Sequence, residues 1–431
     1  MSTTLSAQQG PLSYPQTRKA SQIDDYHGTV VADPYRWLED SNAPETRAWI
    51  EAQNTLTFGY LGGIPERTAI KARLTRLWDY ERFGVPSREG AWYIYSRNSG
   101  LQKQPVIYKA KTLDTAGEVL LDPNAWSEDG TIAVAGVSFS DDGRWLAYAT
   151  SVSGSDWLEW HVRDVATNAD LPDVITWSKF SGAAWLKDGS GFFYARYDAP
   201  TDGQLLQAVN KNQQVYFHTL GTPQERDTLV YARPDKPDWG FGATVTDDGR
   251  FLVVYQTEGT DTRNRVFLRD LRDPAGTVVP FLDAFDAAYS VVGNDGDTFY
   301  VLTNNGAPRY RVVAIPRANP APGAWAPVIP EAPGRAVLDS VSMVNDQFVT
   351  TWMTDAHSTA SLHARDGARI RDLELPGIGT VSDVSGRRAH REVFYAFTSY
   401  TDPATIFRYD FTSETTSVFR RPAVDFDAAR Y

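Results

Sequence analysis

The chain has 431 residues, enough for two or three domains, and 42% of them are hydrophobic, enough for a large core. Its formal net charge of −12 argues against a nucleic-acid binder, which would present a basic face. It contains no cysteine, which excludes disulfides, thiolate catalysis and cysteine-based zinc sites.

Nothing in the sequence predicts targeting to a membrane. The N-terminal segment lacks the apolar run of a signal peptide, and no stretch approaches the roughly 20 apolar residues of a membrane span. We therefore expect a soluble, cytoplasmic protein with neither a membrane nor a nucleic acid as partner.

Residues 1–80 are predicted to form an N-terminal arm that does not share the pattern of the rest of the chain. Residues 1–40 have an extended, loop-like composition. A first helix is predicted from about Pro44 to Gly62-Gly63, with Ser41 or Asn42 as its N-cap.

A second helix is predicted from about Pro65, and it carries its apolar residues on one face. These residues are Ile70, Leu74, Leu77 and Trp78. Two helices and an extended arm bury little surface by themselves, so we expect them to pack on another part of the protein.

Residues 81–421 contain a repeat of a polar turn followed by a strand rich in aromatic and β-branched residues. It occurs seven times, as in Asp141-Asp142-Gly143-Arg144 before WLAYAT, and successive copies lie 46 to 60 residues apart. A second strand, such as WHVRDV, follows each copy. A period of about 50 residues in a strand-rich chain indicates a seven-bladed β-propeller. The alternative is a pair of β-sandwiches, which would need no fixed period.

The longest step of the repeat lies between Gly189 and Gly249 and contains extra loop at residues 201–214 and 233–243. Insertions in repeat proteins map to loops, often on a binding face. Residues 422–431 leave the last blade and are expected to begin a linker.

No catalytic centre is evident from the residues. The G-x-S-x-G motif of hydrolases is absent, and Ser190 lies in a blade turn. The histidines show no metal-binding spacing, and we expect half-exposed structural roles for His161, His218 and His363. No calcium loop or phosphate loop is present. The sequence therefore predicts no catalytic residue, no metal site and no cofactor.

Several segments together are similar to the prolyl oligopeptidase family of serine peptidases. They are Asp25-Tyr26-His27-Gly28, the run from Val31 to Asp40, Trp49, Gln53-Asn54, Gly100-Leu101-Gln102, Leu121-Asp122-Pro123-Asn124, the run from Phe217 to Thr222, Thr303-Asn304, and Phe397-Thr398-Ser399-Tyr400.

This resemblance implies a mainly β fold, in which a seven-bladed propeller is inserted into an α/β-hydrolase domain on which the N-terminal arm packs. It implies a serine endopeptidase that cuts short peptides after proline, with the propeller restricting access to a Ser-His-Asp site. The family's catalytic motifs follow the propeller and are not in this chain. We therefore expect the chain alone to be inactive and the hydrolase domain and short proline-containing peptides to be its partners.

The resemblance also implies two substrate-binding residues and a route of opening. Phe180, in Lys179-Phe180-Ser181, matches a segment that faces the substrate cavity, although a core role at a blade edge is equally open. Thr260 lies in a second such segment, where a departure from the family's residues weakens the match. The first and last blades exchange no strand in this family, so the ring is expected to open between them. The alternative function is a non-catalytic propeller that binds a protein or peptide.

Overall fold

The computed structural model describes residues 12–201, 205 and 209–424, which divide into two compact units between Asp79 and Tyr80. The predicted linker is described only as far as Val424, and the predicted insertion at 201–214 only in part. The remainder of both lies outside the described residues. None of the helices within the described ranges is long and apolar enough to cross a membrane.

The first unit begins with a β-hairpin where only extended, loop-like chain was predicted. Strands β1 (Ile23–Tyr26) and β2 (Thr29–Ala32) pair antiparallel. His27 and Gly28 form the turn with φ of 55° and 90°. Positive φ at both central residues is what a two-residue hairpin turn requires, and glycine accepts it readily.

Both predicted helices are present, as α1 (Pro44–Gly62) and α2 (Arg67–Trp78). A short 3₁₀ helix precedes them at Arg36–Glu39. The predicted N-cap of α1 is wrong, because Ala43 occupies that position and makes no side-chain cap. The side-chain oxygen of Asn42 instead accepts a hydrogen bond from Arg47.

The second unit contains seven antiparallel sheets, which confirms the predicted propeller. Blade 1 contains β3 (Arg82–Phe83), β4 (Ser87–Glu89), β5 (Trp92–Asn98), β6 (Val106–Ala110) and β7 (Glu118–Leu121). Blade 2 contains β8 (Ile132–Phe139), β9 (Trp145–Val152), β10 (Leu158–Asp164) and β11 (Asp170–Ser178). Blade 3 contains β12 (Ala184–Trp185), β13 (Gly191–Arg196), β14 (Gln214–Thr219) and β15 (Thr228–Tyr231).

The remaining blades have the same four-stranded form. Blade 4 contains β16 (Trp239–Val245), β17 (Phe251–Glu258), β18 (Asn264–Asp270) and β19 (Val279–Leu282). Blade 5 contains β20 (Tyr289–Asp295), β21 (Thr298–Thr303), β22 (Arg311–Pro316) and β23 (Ala326–Ile329). Blade 6 contains β24 (Val337–Val344), β25 (Gln347–Thr354), β26 (His357–His363) and β27 (Arg369–Leu373). Blade 7 contains β28 (Thr380–Ser385), β29 (Glu392–Thr398), β30 (Thr405–Asp410) and β31 (Thr415–Arg420). Short 3₁₀ helices lie at Pro123–Ala125, Gln224–Arg226 and Pro322–Ala324.

Strands pair in chain order within each of blades 2 to 7, so every blade is built from consecutive strands. Blade 1 differs only because its first strand is interrupted, so that β3 and β4 both pair with β5. Among the described residues no strand passes from blade 7 into blade 1. The two strands of each sequence repeat are the second and third strands of a blade.

The hydrophobic core is divided among the blade interfaces. Six buried clusters each join one blade to the next, from blades 1 and 2 through to blades 6 and 7. For example, Phe251 of blade 4 packs at 5.1 Å from Phe299 of blade 5, measured between ring centroids. Burial of aromatic rings between neighbouring sheets is the main stabilising contribution.

Blades 7 and 1 meet through polar as well as aromatic contacts. The hydroxyl of Tyr93 in blade 1 donates to Glu392 Oε1 in blade 7 at 2.5 Å. The ring of Phe394 lies edge-on to Tyr93 with centroids 6.5 Å apart. Side chains rather than a shared strand therefore close the ring.

Candidate functional site

The first strands of the blades line a central tunnel. One cavity in it has a volume of about 550 Å³ and is lined by Ala135–Phe139 of β8, Ser181–Trp185 before and in β12, Ala243–Asp247 at the end of β16, and the side chains of Asp141, Trp160, Lys187 and Arg387. Most of these side chains are small, which leaves the space open. At Gly136 an added Cβ would lie 3.0 Å from the ring of Trp160, so a larger residue would disturb the wall.

The tunnel has two mouths with different chemistry. We call the end that bears the turns between first and second strands the turn face. We call the opposite end, which bears the links between blades and the turns between second and third strands, the loop face. The alternation of strand direction in each blade separates these two sets of connections.

At the turn face, Arg387 of blade 7 reaches across to two other blades. Its guanidinium pairs with Glu89 of blade 1 and lies 3.3 Å from Asp141 of blade 2. Lys187 of blade 3 pairs with the same Asp141 at 2.8 Å and donates to the carbonyl of Asp247 in blade 4 at 2.8 Å. Burial raises the pKa of Glu89, and Arg387 opposes that rise.

Arg388, the next residue, reaches towards the other side of the mouth. It pairs with Asp295 of blade 5 at 2.7 Å and with Asp346 of blade 6 at 2.5 Å. The backbone N–H of Arg387 donates to His390 Nδ1 at 3.1 Å, which closes the turn that presents both arginines. Ion pairs thus connect the blade-7 turn to four other blades across the turn face, where Lys187, Arg387 and Arg388 also line a cavity of about 590 Å³.

Sequence reasoning missed Lys187, Arg387 and Arg388, although a signal for them exists. Asp141, Lys187 and Asp247 occupy corresponding turns of the sequence repeat. Corresponding turns of a propeller converge on its axis, so opposite charges at those positions predict an ion-pair ring.

At the loop face, Phe180 lies on the link between β11 and β12, beside Ser181, which lines the tunnel cavity. Its side chain is 61% exposed, so Phe180 is not a core residue at a blade edge. Its φ of +53° is in the left-handed region, which a phenylalanine adopts only under constraint. The rim of the tunnel therefore presents an aromatic side chain on a constrained backbone.

Phe180→Gly is expected to leave the free energy of unfolding unchanged or to raise it by up to about 1 kcal/mol, because glycine adopts this conformation without strain. Leu229→Gly is the matched control, since Leu229 is also exposed, at 50%, but lies in strand β15. There we expect a loss of about 1 kcal/mol. Urea denaturation of both variants checks this, and equal losses at the two positions would show that Phe180 is unstrained.

Thr260 lies on the same face, in the turn between β17 and β18 of blade 4. It is exposed, and Gly259 before it has a φ of +55°. Glu258, the last residue of β17, pairs with Arg265 at 2.7 Å. The structure thus places Phe180 and Thr260 on one face, on neighbouring blades, with Thr260 at a turn that is further from the innermost strands.

The histidines that were expected to be half-exposed differ from one another. His161 is partly exposed and lies 3.1 Å from Glu159. His218 is fully buried, with Nε2 2.8 Å from Asp173 of blade 2 and Nδ1 2.7 Å from Asp227 of its own blade. Burial lowers the pKa of His218, but the two carboxylates outweigh burial and raise it to about 9. His218 is therefore a charged cross-link between blades, and the prediction of half-exposure is wrong for it.

His363 is buried as well, which also contradicts that prediction. Its Nε2 lies 3.1 Å from Ser361 Oγ, and its Nδ1 lies 3.1 Å from the carbonyl of Gly367. Ser361 is itself only 2% exposed and bonds Thr350 Oγ1 at 2.8 Å. A serine buried in a polar network of strands is not presented to a substrate, so this pair is structural. In the part of the chain that the structure describes, no group of three or more His, Cys, Asp or Glu side chains is arranged to hold a metal ion.

Comparison with known proteins agrees with this architecture. Residues 14–422 match the family model described as prolyl oligopeptidase, N-terminal beta-propeller domain. A prolyl endopeptidase of Elizabethkingia meningoseptica is 38% identical over 97% of the chain and 59% of its own length. Prolyl oligopeptidase A of Amanita bisporigera is 32% identical over 94% of the chain and 57% of its own length.

Solved structures give the same result. Prolyl oligopeptidase B from Galerina marginata, bound to a 35mer hydrolysis and macrocyclization substrate, superposes with a TM-score of 0.89 at 28% identity, over 98% of this chain and 62% of that one. The chain thus spans about three fifths of the length of the relatives it matches.

Proposed function

The chain belongs to the prolyl oligopeptidase family, and we propose that it forms the arm and the gating propeller of a serine endopeptidase that cleaves short peptides after proline. In this proposal the catalytic Ser, Asp and His belong to an α/β-hydrolase domain, and the 431 residues alone do not hydrolyse peptides. The cytoplasmic location expected from the sequence stays a prediction.

The observation that carries the gating proposal is the contrast between the two mouths of the tunnel. At the turn face, ion pairs from Arg387 and Arg388 to other blades cross the mouth, and the cavity of about 590 Å³ beside them is lined mainly by charged side chains. At the loop face, the cavity wall ends at Ser181, and Phe180, the residue before it, is exposed. A peptide would therefore meet the propeller at the loop face. Since the tunnel wall consists of one strand from each blade, we expect the tunnel to admit a short peptide and to exclude a folded protein.

Phe180 and Thr260 are the substrate contacts in this proposal. An exposed aromatic ring offers a large apolar area and a π-face for a peptide side chain or a proline ring. Thr260 offers a hydroxyl at a hairpin turn. Phe180 is expected to contribute more, since it borders the cavity and its backbone is constrained.

The proposed partner of the arm is the hydrolase domain. Helix α2 has no buried side chain, and its apolar residues are half or more exposed: Ile70 55%, Leu74 52%, Leu77 50% and Trp78 63%. An apolar stripe of this kind on a helix is the side that packs against another surface.

Binding of a fluorescently labelled succinyl-Gly-Pro peptide to the 431-residue chain tests the substrate contacts, with anisotropy as the readout. We expect Phe180→Ala to weaken binding by roughly 5- to 30-fold, the effect of removing an aromatic anchor. Val279→Ala is the matched control, because Val279 is exposed on the outermost strand of blade 4 and should have no effect. Equal affinity of the Phe180→Ala variant and the parent would contradict the assignment.

A further inference from the structure

The residue before Phe180 is a lysine whose side chain is buried. Lys179 is only 8% exposed. Its Nζ donates to Asn210 Oδ1 at 3.1 Å and lies 4.0 Å from the ring centroid of Trp157 in blade 2. Trp157 in turn packs edge-on against Trp177, with centroids 5.8 Å apart. The ammonium is therefore held between an amide oxygen and an aromatic face, which attract a cation.

The backbone around Phe180 is fixed on both sides. Gln213, which is 2% exposed, donates from Nε2 to the carbonyl of Lys179 at 2.9 Å and accepts at Oε1 from the N–H of Phe241 at 2.6 Å. On the other side, Ser181 Oγ accepts from the N–H of Ala195 at 2.7 Å. Both neighbours of Phe180 are thus tied to strands of blades 3 and 4, while Phe180 itself faces solvent.

Packing alone does not account for a lysine at position 179. Burial lowers the pKa of its ammonium, and the negative charge of Asp156 only partly offsets this effect. A methionine would fill the same volume beside Trp157 without the cost of desolvating a charge. What methionine cannot do is bond Asn210, and so it cannot tie this link to the chain segment that precedes β14.

We propose that Lys179 is a positioning residue that holds Phe180 at the rim of the tunnel for contact with a peptide. The proposal rests on the proposed function of Phe180 as a substrate contact. The hydrogen bond from Nζ to Asn210 and the contact with Trp157 restrict the side chain of Lys179. The hydrogen bond from Gln213 to the carbonyl of Lys179 fixes the peptide plane between Lys179 and Phe180. Together these contacts keep Phe180 in its left-handed conformation.

The absence of native cysteine allows a direct test, because a nitroxide label on Phe180→Cys is the only label in the molecule. Electron paramagnetic resonance then reports the mobility of position 180. We expect Lys179→Met to shorten the rotational correlation time of the label by roughly threefold or more, and Lys179→Arg, which keeps the charge, to restore most of the order. Lys211→Met is the matched control, since Lys211 is half-exposed and pairs with Asp238 at 3.5 Å in the same segment. The proposal would be overturned if the Lys179→Met variant unfolded at the same temperature as the parent and its label had the same rotational correlation time.

A second measurement separates this proposal from the proposed function. With Phe180 intact, Lys179→Met should weaken binding of the succinyl-Gly-Pro peptide by roughly three- to tenfold, the effect of lost preorganisation. Lys211→Met should leave the affinity unchanged. If neither the parent nor any variant binds the peptide, the substrate role of Phe180 fails. The mobility of the label at position 180 still shows whether Lys179 orders the rim. If the peptide binds equally well to parent and Lys179→Met while Phe180→Ala weakens binding, the positioning role fails and the substrate role stands.

Discussion

Replacing His218 with glutamine is expected to lower the free energy of unfolding of the propeller by about 3–5 kcal/mol at pH 6, because it leaves two buried carboxylates without a cation. Asp173 and Asp227 both contact the imidazole, and the side chains of all three residues are completely buried. Glutamine can donate to one carboxylate but carries no charge.

The pH dependence of the free energy of unfolding is a second way to compare the parent with His218→Gln. The pKa of His218 is raised to about 9 in the folded chain, above the roughly 6.5 of an unfolded histidine. A raised pKa means that the imidazolium contributes its full stability below about pH 6.5 and loses it as the pH rises through about 9. We therefore expect the difference between parent and His218→Gln to shrink between pH 6 and pH 9.5 in urea denaturation.

His161→Gln is the matched control for this prediction. His161 also lies on the third strand of a blade, but it is partly exposed and pairs with the exposed Glu159. Surface pairs of this kind contribute at most about 1 kcal/mol. A loss of stability at position 218 no larger than that at position 161 would show that His218 is not a charged cross-link.

The second large effect is expected when Arg387 and Arg388 are both replaced with methionine. The double variant should lose about 2–3 kcal/mol at low salt, because the buried Glu89 loses the guanidinium of Arg387 and Asp346 loses that of Arg388. Asp141 and Asp295 keep Lys187 and Arg365 as partners, which limits the loss. Hydrogen exchange should increase most in β5 and β29, the strands that face each other where the ring closes without a shared strand.

Salt dependence distinguishes this interpretation from a general loss of packing. At 1 M salt the Debye length is about 3 Å, so the parent should lose part of its stability, whereas the double variant should lose little. Arg365→Met is the matched control, since Arg365 pairs with Asp295 without crossing the mouth. Faster exchange spread evenly over all blades of the double variant would contradict a role for these arginines in closing the ring.

The sequence predicted the parts of the propeller whose pattern repeats locally. The second and third strands, such as β9 and β10, are long, aromatic and preceded by a polar turn, so all seven pairs were recognised. The first and last strands were not assigned individually, because some are very short: β12 contains only Ala184 and Trp185. Their pairing depends on contacts with the neighbouring strand rather than on their own composition.

The candidate site was predictable only in part, for a related reason. Phe180 was found through the resemblance to a family. Its exposure could not be predicted, because the local sequence Lys179-Phe180-Ser181 suits a buried phenylalanine equally well. Arg387 lies about 300 residues from Glu89 in the chain, and only closure of the ring brings them together. The bonds from Lys179 to Asn210 and from Gln213 to Phe241 likewise join separate segments.

The most direct test of the central claim is hydrolysis of a succinyl-Gly-Pro chromogenic peptide by the purified chain, with and without a separately produced α/β-hydrolase domain from a relative. We predict no turnover by the 431-residue chain, and turnover of the short peptide but not of a folded protein when both parts are present. Turnover by the chain alone that persists through stringent purification would contradict the account. Peptide binding with no gain in activity on addition of the hydrolase domain would favour a non-catalytic binding propeller instead.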